Sequence, residues 1–317
     1  MTQTKIFFHE TDNIIDIRYD NVFKAVFTGN APASRKALSK LISALIGREI
    51  TIISINANEP PISNVRDRQI IFDISCKAGD GELINVEMSL NPAPFEPIRL
   101  EFHAAKLFTG QDIRGTDQDY DDLKQAYQIT ILAKKRFFQD EEFFHSFEYY
   151  DPAREVSLNG LSRIITLELS KLRKIVEKPI EEMSSPERWA IYFKYLTDKS
   201  KRRKINKIIE IEEGIAMASE VLISISKDEK ERFRLMSEYK YELDTQSKLV
   251  SAKRKGIQEG LQKGMQKGIQ KGRQEGIQEG LQKGLQKGME KGKQEIIDLL
   301  KNGKLPEDIL KDYERDS

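Results

Sequence analysis

The sequence predicts an α/β fold: helices sandwich a small mixed sheet, and a helical region and a glycine-repeat C-terminal tail follow. Three observations predict it. Residues 69–91, QIIFDISCKAGDGELINVEMSLN, alternate apolar and polar on both sides of Gly79-Asp80-Gly81, the pattern of a β-hairpin. Around that hairpin the periodicities run helix, strand, strand, strand, helix, strand. Ten glycines at every fourth position from Gly256 to Gly292 set the tail apart.

Residues 1–17 read as a loosely attached lead-in. Asp20 opens DNVFKAVF as an N-cap, and Val22, Phe23, Val26 and Phe27 share one helical face. Pro32 suits the start of a second helix, Ala33 to Ile46, which buries Leu38, Leu41, Ile42, Leu45 and Ile46 and stops at Gly47. Ile50 to Ile55 is a β-branched strand that ends near Pro60-Pro61.

In the hairpin, a three-residue loop closed by a left-handed glycine sets Ala78 opposite Glu82 and Asp73 opposite Glu87. Ile70, Phe72, Ile74 and Cys76 then share a face with Ile84, Val86 and Met88, and the other face is mostly polar. A two-residue loop would pair apolar against polar. The directly opposed acids Asp73 and Glu87 repel unless a cation or a proton lies between them. With a backbone carbonyl they form an oxygen-rich site of the kind magnesium prefers; a solvated polar sheet face is the plainer alternative.

Glu96 to Thr109 is the next helix, with Ile98, Phe102 and Ala105 as its apolar stripe and Arg99, His103 and Lys106 as a basic stripe. A polar loop, Gly110 to Tyr120, leads to a strand over Lys124 to Ala133. Residues 134–250 read as predominantly helical, with one further strand at Ile164 to Leu169. The spacing of Phe137, Phe138, Phe143, Phe144 and Phe147 is helical and marks packing rather than base stacking.

The chain has 317 residues, of which 32% are charged, with a formal net charge of +1. Residues 251–293 hold eleven Lys or Arg against four Glu, a net of +7, so the rest sums to −6. The body is no broad polyanion trap, and nucleic-acid binding must use local patches or metal. The single cysteine, Cys76, excludes an intrachain disulfide and gives no zinc signature. The start lacks a basic-then-apolar signal segment and no apolar run approaches membrane-spanning length, so a cytoplasmic protein is expected.

The element order and the placed carboxylates resemble the αβββαβ core of the PD-(D/E)XK nuclease superfamily, and more narrowly the Rpn family of recombination-promoting nucleases and transposases. The matching pieces are D-N-V-F-K-A-V-F from Asp20, F-D-I from Phe72, G-E-L-I-N-V-E-M from Gly81, G-T-D-Q-D-Y and L-K-Q-A-Y-Q-I-T-I-L through Leu132. E-L-S-K at Glu168 to Lys171, E-R-W around Trp189 and I-S-K-D-E-K from Ile225 continue the match, over roughly residues 18–255.

The resemblance implies phosphodiester hydrolysis in DNA with magnesium, manganese or calcium serving as alternatives. It implies Asp73, Glu87 and the Met88 carbonyl as metal ligands, with Asp20 joining directly or through water. Ser89 stands where the superfamily usually has Lys and this family often Gln. Arg99, His103 and Lys106 are candidate phosphate-binding groups that could replace the absent cation. The implied layout is a nuclease-like core at 1–150, a mainly helical extension at 151–250, a repeat arm at 251–293 and short terminal helices at 294–317.

A period of four advances an ideal helix by about 400°, so the stripe of Ile257, Leu261, Met265 and Ile269 drifts by about 40° per repeat. Ten glycines at about 1 kcal/mol each argue against a stable lone helix. The tail is therefore a frayed basic arm or a helix formed on association, and self-association through it is expected. Two functional classes follow: a metal-dependent DNA endonuclease, or a nuclease-fold protein that binds DNA or assembles without cutting.

Overall fold

The computed structural model describes residues 7–55, 72–92, 94–111 and 119–315. Residues 69–71 of the expected hairpin, Pro60-Pro61 and most of the polar loop before Tyr120 lie outside these. In chain order come α1 (Asp20–Thr28), α2 (Pro32–Ile46), β1 (Ile52–Ile55), β2 (Ile74–Ala78), β3 (Leu83–Ser89), α3 (Glu96–Thr109) and β4 (Ala126–Leu132). Then follow β5 (Phe144–Phe147), β6 (Tyr150–Asp151), β7 (Val156–Ser157) and β8 (Ser162–Glu168). Five helices complete the described chain: α4 (Ser185–Tyr195), α5 (Arg202–Ile211), α6 (Glu213–Lys227), α7 (Glu229–Lys301) and α8 (Pro306–Arg315).

Six strands form one mixed sheet in the order β1-β2-β3-β4-β8-β5. The hairpin β2–β3 is antiparallel, with Ile74 opposite Val86 and Cys76 opposite Ile84. Its loop is the expected three residues: Ala78 N–H donates to the Glu82 carbonyl, Gly81 N–H donates to the Ala78 carbonyl, and Gly81 has φ of 92°. A side chain there would be strained, which is why glycine closes this turn. Strands β3, β4 and β8 run parallel, and all seven residues of β4 are buried, as a strand covered on both faces requires.

One sheet face carries the main core. Ile74, Cys76, Ile84, Val86, Met88, Ile129 and Ile131 pack there with apolar residues of α1, α2, α4, α5 and α6. Its aromatic centre joins Phe23 and Phe27 of α1 to Trp189 and Phe193 of α4, with ring centroids 4.8–6.4 Å apart. Full burial of such a ring is worth about 2–3 kcal/mol. Helix α2 ends as expected at Gly47, whose φ of 86° lets its N–H bond back to the Ser43 carbonyl.

Several expectations change. The lead-in is strapped down: Phe8, Ile14, Ile15 and Ile17 are buried, Phe8 exchanges two backbone hydrogen bonds with the Asn206 amide, and Ile15 N–H bonds the Ser226 hydroxyl. Tyr19, not Asp20, is the N-cap of α1; Asp20 is its first residue, and its carboxylate bonds Lys24 instead of a backbone N–H. Phe72 leaves the apolar face because the chain bends at Asp73, ahead of β2. It packs in a separate cluster with Leu107 and Ala126, edge-on to His103.

Helix α3 is rotated from the expected orientation. Ile98 and Phe102 are exposed, and the buried side is Glu96, Leu100, His103, Ala104 and Leu107. The stretch from residue 134 is not mainly helical at first: Phe144 and Phe147 lie in β5, which pairs with β8, and strand packing rather than helix spacing explains them. The strand expected at Ile164 is present as β8.

The chain divides into two units, residues 1–242 and 243–317. In the second, the glycine repeat is continuously helical within α7, and Ile257, Leu261, Met265, Ile269, Ile277, Leu281, Leu285 and Met289 are all exposed. Gly303, with φ of 84°, turns the chain into α8. Among the described residues no helix is long and apolar enough to cross a membrane.

Candidate active site

The sheet face opposite the main core is polar beneath α3. Asn85 and Glu87 alternate with Ile84, Val86 and Met88 on β3, so they point the other way. Gln128 and Thr130 do the same on β4, and all four are buried. Buried polar groups need partners, and these form a chain. Asn85 donates to Glu87 Oε1 at 2.9 Å and to Gln128 Oε1 at 2.8 Å, and Gln128 donates to the Thr130 hydroxyl at 3.0 Å.

Glu87 is the centre of this layer, with its side chain 1% exposed. His103 Nδ1 lies 2.7 Å from Oε1, and the Arg99 guanidinium lies 3.1 Å from Oε2. Burial pushes the Glu87 carboxyl up, but the His103 hydrogen bond, the Arg99 charge and the Asn85 amide together hold it below the usual carboxylate range. An ionised carboxylate can only accept, so His103 is the donor. Oε2 has the Arg99 charge beside it but no hydrogen bond of proper geometry.

Asp73 is set one residue ahead of β2, and continuing the ladder Ile74–Val86 places it across from Glu87. Its Oδ2 accepts from Met88 N–H at 3.1 Å. Lys24 of α1 reaches its Oδ1 at 3.2 Å and also bonds Asp20 Oδ2 at 2.7 Å. Burial, then the neighbouring Asp20 charge, push the Asp73 carboxyl up to about 8; Lys24 opposes this and Glu87 adds to it. Desolvation pulls Lys24 down, but Asp73 and Asp20 more than offset it, so its ammonium is held above the usual lysine range. Glu242, near the start of α7, is raised by burial and by Asp20, so a further acid faces α1.

The two acids of the hairpin therefore sit in opposite environments. Glu87 is surrounded by donors, which favour its charged form; Asp73 is crowded by acids, which favour its protonated form despite Lys24. Among the described residues Asp20 Oδ1 and Glu87 Oε2 are buried without a hydrogen-bond donor, and a protonated Asp73 carboxyl could bond only to Asp20. Among the described residues no three His, Cys, Asp or Glu side chains are already grouped as a metal cage. The donor set nonetheless fits one hard cation: carboxylates that repel one another, with orphaned oxygens, gain most from a divalent ion.

A family model described as PD-(D/E)XK nuclease family transposase matches residues 17–252. The chain belongs to this family. No curated protein and no solved structure matches it. In this member of the family, Asp20, Asp73 and Glu87 come from three separate elements, α1, the bend before β2, and β3.

Ser89 follows Glu87 by two on β3 and is half-buried at the strand's end, in the row of Leu132 and Glu168. Of the basic stripe, Arg99 and His103 turn inward to Glu87, and Arg99 also bonds Glu96; Lys106 is half-buried in the last turn of α3. The E-L-S-K segment is a buried ion pair: Glu168 holds Lys171 at 2.6 Å and accepts from the N–H groups of Phe137 and Phe138. Its partners are satisfied, so it pins the chain after β4.

Sequence reasoning passed over three residues. Lys24 was legible, because it stands four after Asp20 on one helix face. Asn85 was legible too, two before Glu87 on the same strand face. Glu242 was not, since only the packing of α7 brings it near α1.

Proposed function

We propose that this transposase-family domain is a divalent-metal-dependent DNA endonuclease of the recombination-promoting type. The observation that carries the proposal is the facing pair of acids. Asp73 and Glu87 lie across one hairpin from each other, and Asp20 of α1 is joined to Asp73 through Lys24. Asp73 and Glu87, with the Met88 carbonyl, would hold the ion, and Asp20 would join them. Magnesium is the expected ion, and manganese or calcium would serve. Bound there, a divalent ion would polarise a phosphate and lower the pKa of an attacking water.

The chain's own residues prepare that arrangement. Asn85 and His103 fix one oxygen of Glu87 and leave the other facing Arg99. Arg99 holds positive charge at the site, where it can meet a phosphate oxygen, and His103 acts through Glu87 as a positioning residue. Lys106, one helical turn further on, extends the basic edge for the DNA backbone. Ser89 offers a neutral hydroxyl with little reach, so cleavage should be slow.

A second reading is favoured by Ser89 and by Lys24, which already pairs with two of the acids: a nuclease fold that binds DNA or assembles without cutting. In either case the repeat tail is expected to hold phosphates or a second copy of itself, and the protein to be cytoplasmic. A plasmid-nicking assay with and without magnesium separates the two. The parent should nick slowly and only with metal, and Asp73→Ala should abolish nicking while the fold persists. A variant as fast as the parent would remove Asp73 from the site.

A further inference from the structure

The strand position that would carry a cation holds Ser89, and of the stripe expected to replace it Arg99 and His103 are engaged by carboxylates, while Lys106 lies about one helical turn beyond them, in the last turn of α3. Arg99 is shared between Glu87 and Glu96, His103 is engaged by Glu87, and Lys135, just beyond β4, points to the Pro92 carbonyl at 3.4 Å. One ammonium lies between the acids themselves. Lys24 Nζ is 2.7 Å from Asp20 and 3.2 Å from Asp73, and its side chain is 26% exposed, so it is open to a ligand from solvent.

We propose that Lys24 is the cation of this site, doing from α1 what a lysine two residues after Glu87 would do from β3. The inference rests on the nuclease reading for its chemistry but not for its geometry. Lysine is a compact point charge on a flexible four-carbon stem, so it can pivot where an arginine fork would be held. In the structure it pairs with both Asp20 and Asp73. Were Asp73 to hold a divalent ion, Lys24 would lose one of its two partners. Its ammonium can then donate to a phosphate oxygen as negative charge develops there.

Two consequences can be measured on the full chain. Lys24 competes with a divalent cation for the same carboxylates, so Lys24→Gln should bind Mn²⁺ about tenfold more tightly, read as the Mn²⁺ concentration that half-saturates the thermal shift. The same variant should nick plasmid at least about a hundredfold more slowly, although its metal site is better filled. Adding Ser89→Lys should restore nicking to within about tenfold of the parent.

Unchanged Mn²⁺ affinity in Lys24→Gln overturns the proposal, and so does a parental nicking rate. If the parent itself never nicks, the nuclease reading falls, and the Mn²⁺ titration alone decides the place of Lys24. Should Lys24→Gln fail to fold, the double variant, which keeps the site's charge, carries the test. Nicking by it supports the proposal, and its silence beside an active parent overturns it.

Discussion

Asp73 makes a claim about stability as well as about chemistry. Its carboxyl rises from an ordinary 3.8 to about 8 in the folded, metal-free protein, because burial and Asp20 penalise its charge. Between those values the folded state binds a proton that the unfolded chain has released. The stabilisation this group contributes is therefore full below about pH 4 and is lost as pH rises through 8. A tenfold change in proton affinity is about 1.4 kcal/mol, so the loss is on the order of a few kcal/mol. Asp73→Asn removes the titration: its unfolding temperature without metal should decline less between pH 5 and pH 8 than the parent's, followed by Trp189 fluorescence. Parallel declines would mean that Asp73 does not carry the proton. Asp73 and Glu87 were legible as a pair because hairpin register follows from the side-chain period and the turn. Their opposite environments were not, since these depend on Lys24, Arg99 and His103 arriving from helices.

Helix α3 shows where pattern reading stops at the level of an element. Its bounds, Glu96–Thr109, are legible from Pro97 near its start and Gly110 after its end. Its orientation is the reverse of what the pattern implies, because an apolar stripe is ordinarily taken as the core face. Here the sheet beneath is partly polar, so the buried side of the helix brings partners for Glu87 as well as Leu100, Ala104 and Leu107. Phe102→Lys, on the exposed side, should change stability by no more than about 0.5 kcal/mol. His103→Ala strips a buried carboxylate of one of its two donors and should cost about 2–3 kcal/mol in urea unfolding. Equal costs for the two would reject this orientation. The hairpin offers a companion test. Gly81 holds φ of 92°, and a Cβ there would meet Lys124 Cγ at 3.2 Å. Gly81→Ala should therefore cost about 1–2 kcal/mol.

For the whole molecule the question is what the repeat contributes. Helix α7 runs for 73 residues, yet ten of those residues are glycines. At about 1 kcal/mol each relative to alanine, they subtract about 10 kcal/mol from helix stability. The eight apolar side chains that follow the same beat are exposed and return nothing to an isolated chain. This sequence was selected for something other than a self-sufficient helix. The body, by contrast, has its own core, centred on Trp189, whose ring is fully buried. Its thiol makes the same point, because burial pushes Cys76 up to about 12 and should keep it inert to thiol reagents until the body unfolds. Deleting residues 256–317 should leave the unfolding midpoint, read from Trp189 fluorescence, within about 2 °C of the full chain. It removes the eight Lys and Arg between Gly256 and Lys293. Each phosphate that the protein no longer neutralises lowers the salt slope of DNA binding by about 0.9. The truncated chain should therefore bind DNA more weakly and with a shallower dependence on salt. If the slope is unchanged while sedimentation shows a smaller assembly, the tail serves self-association alone. A midpoint that drops by many degrees would instead make the repeat part of the body's stability, against the glycine arithmetic.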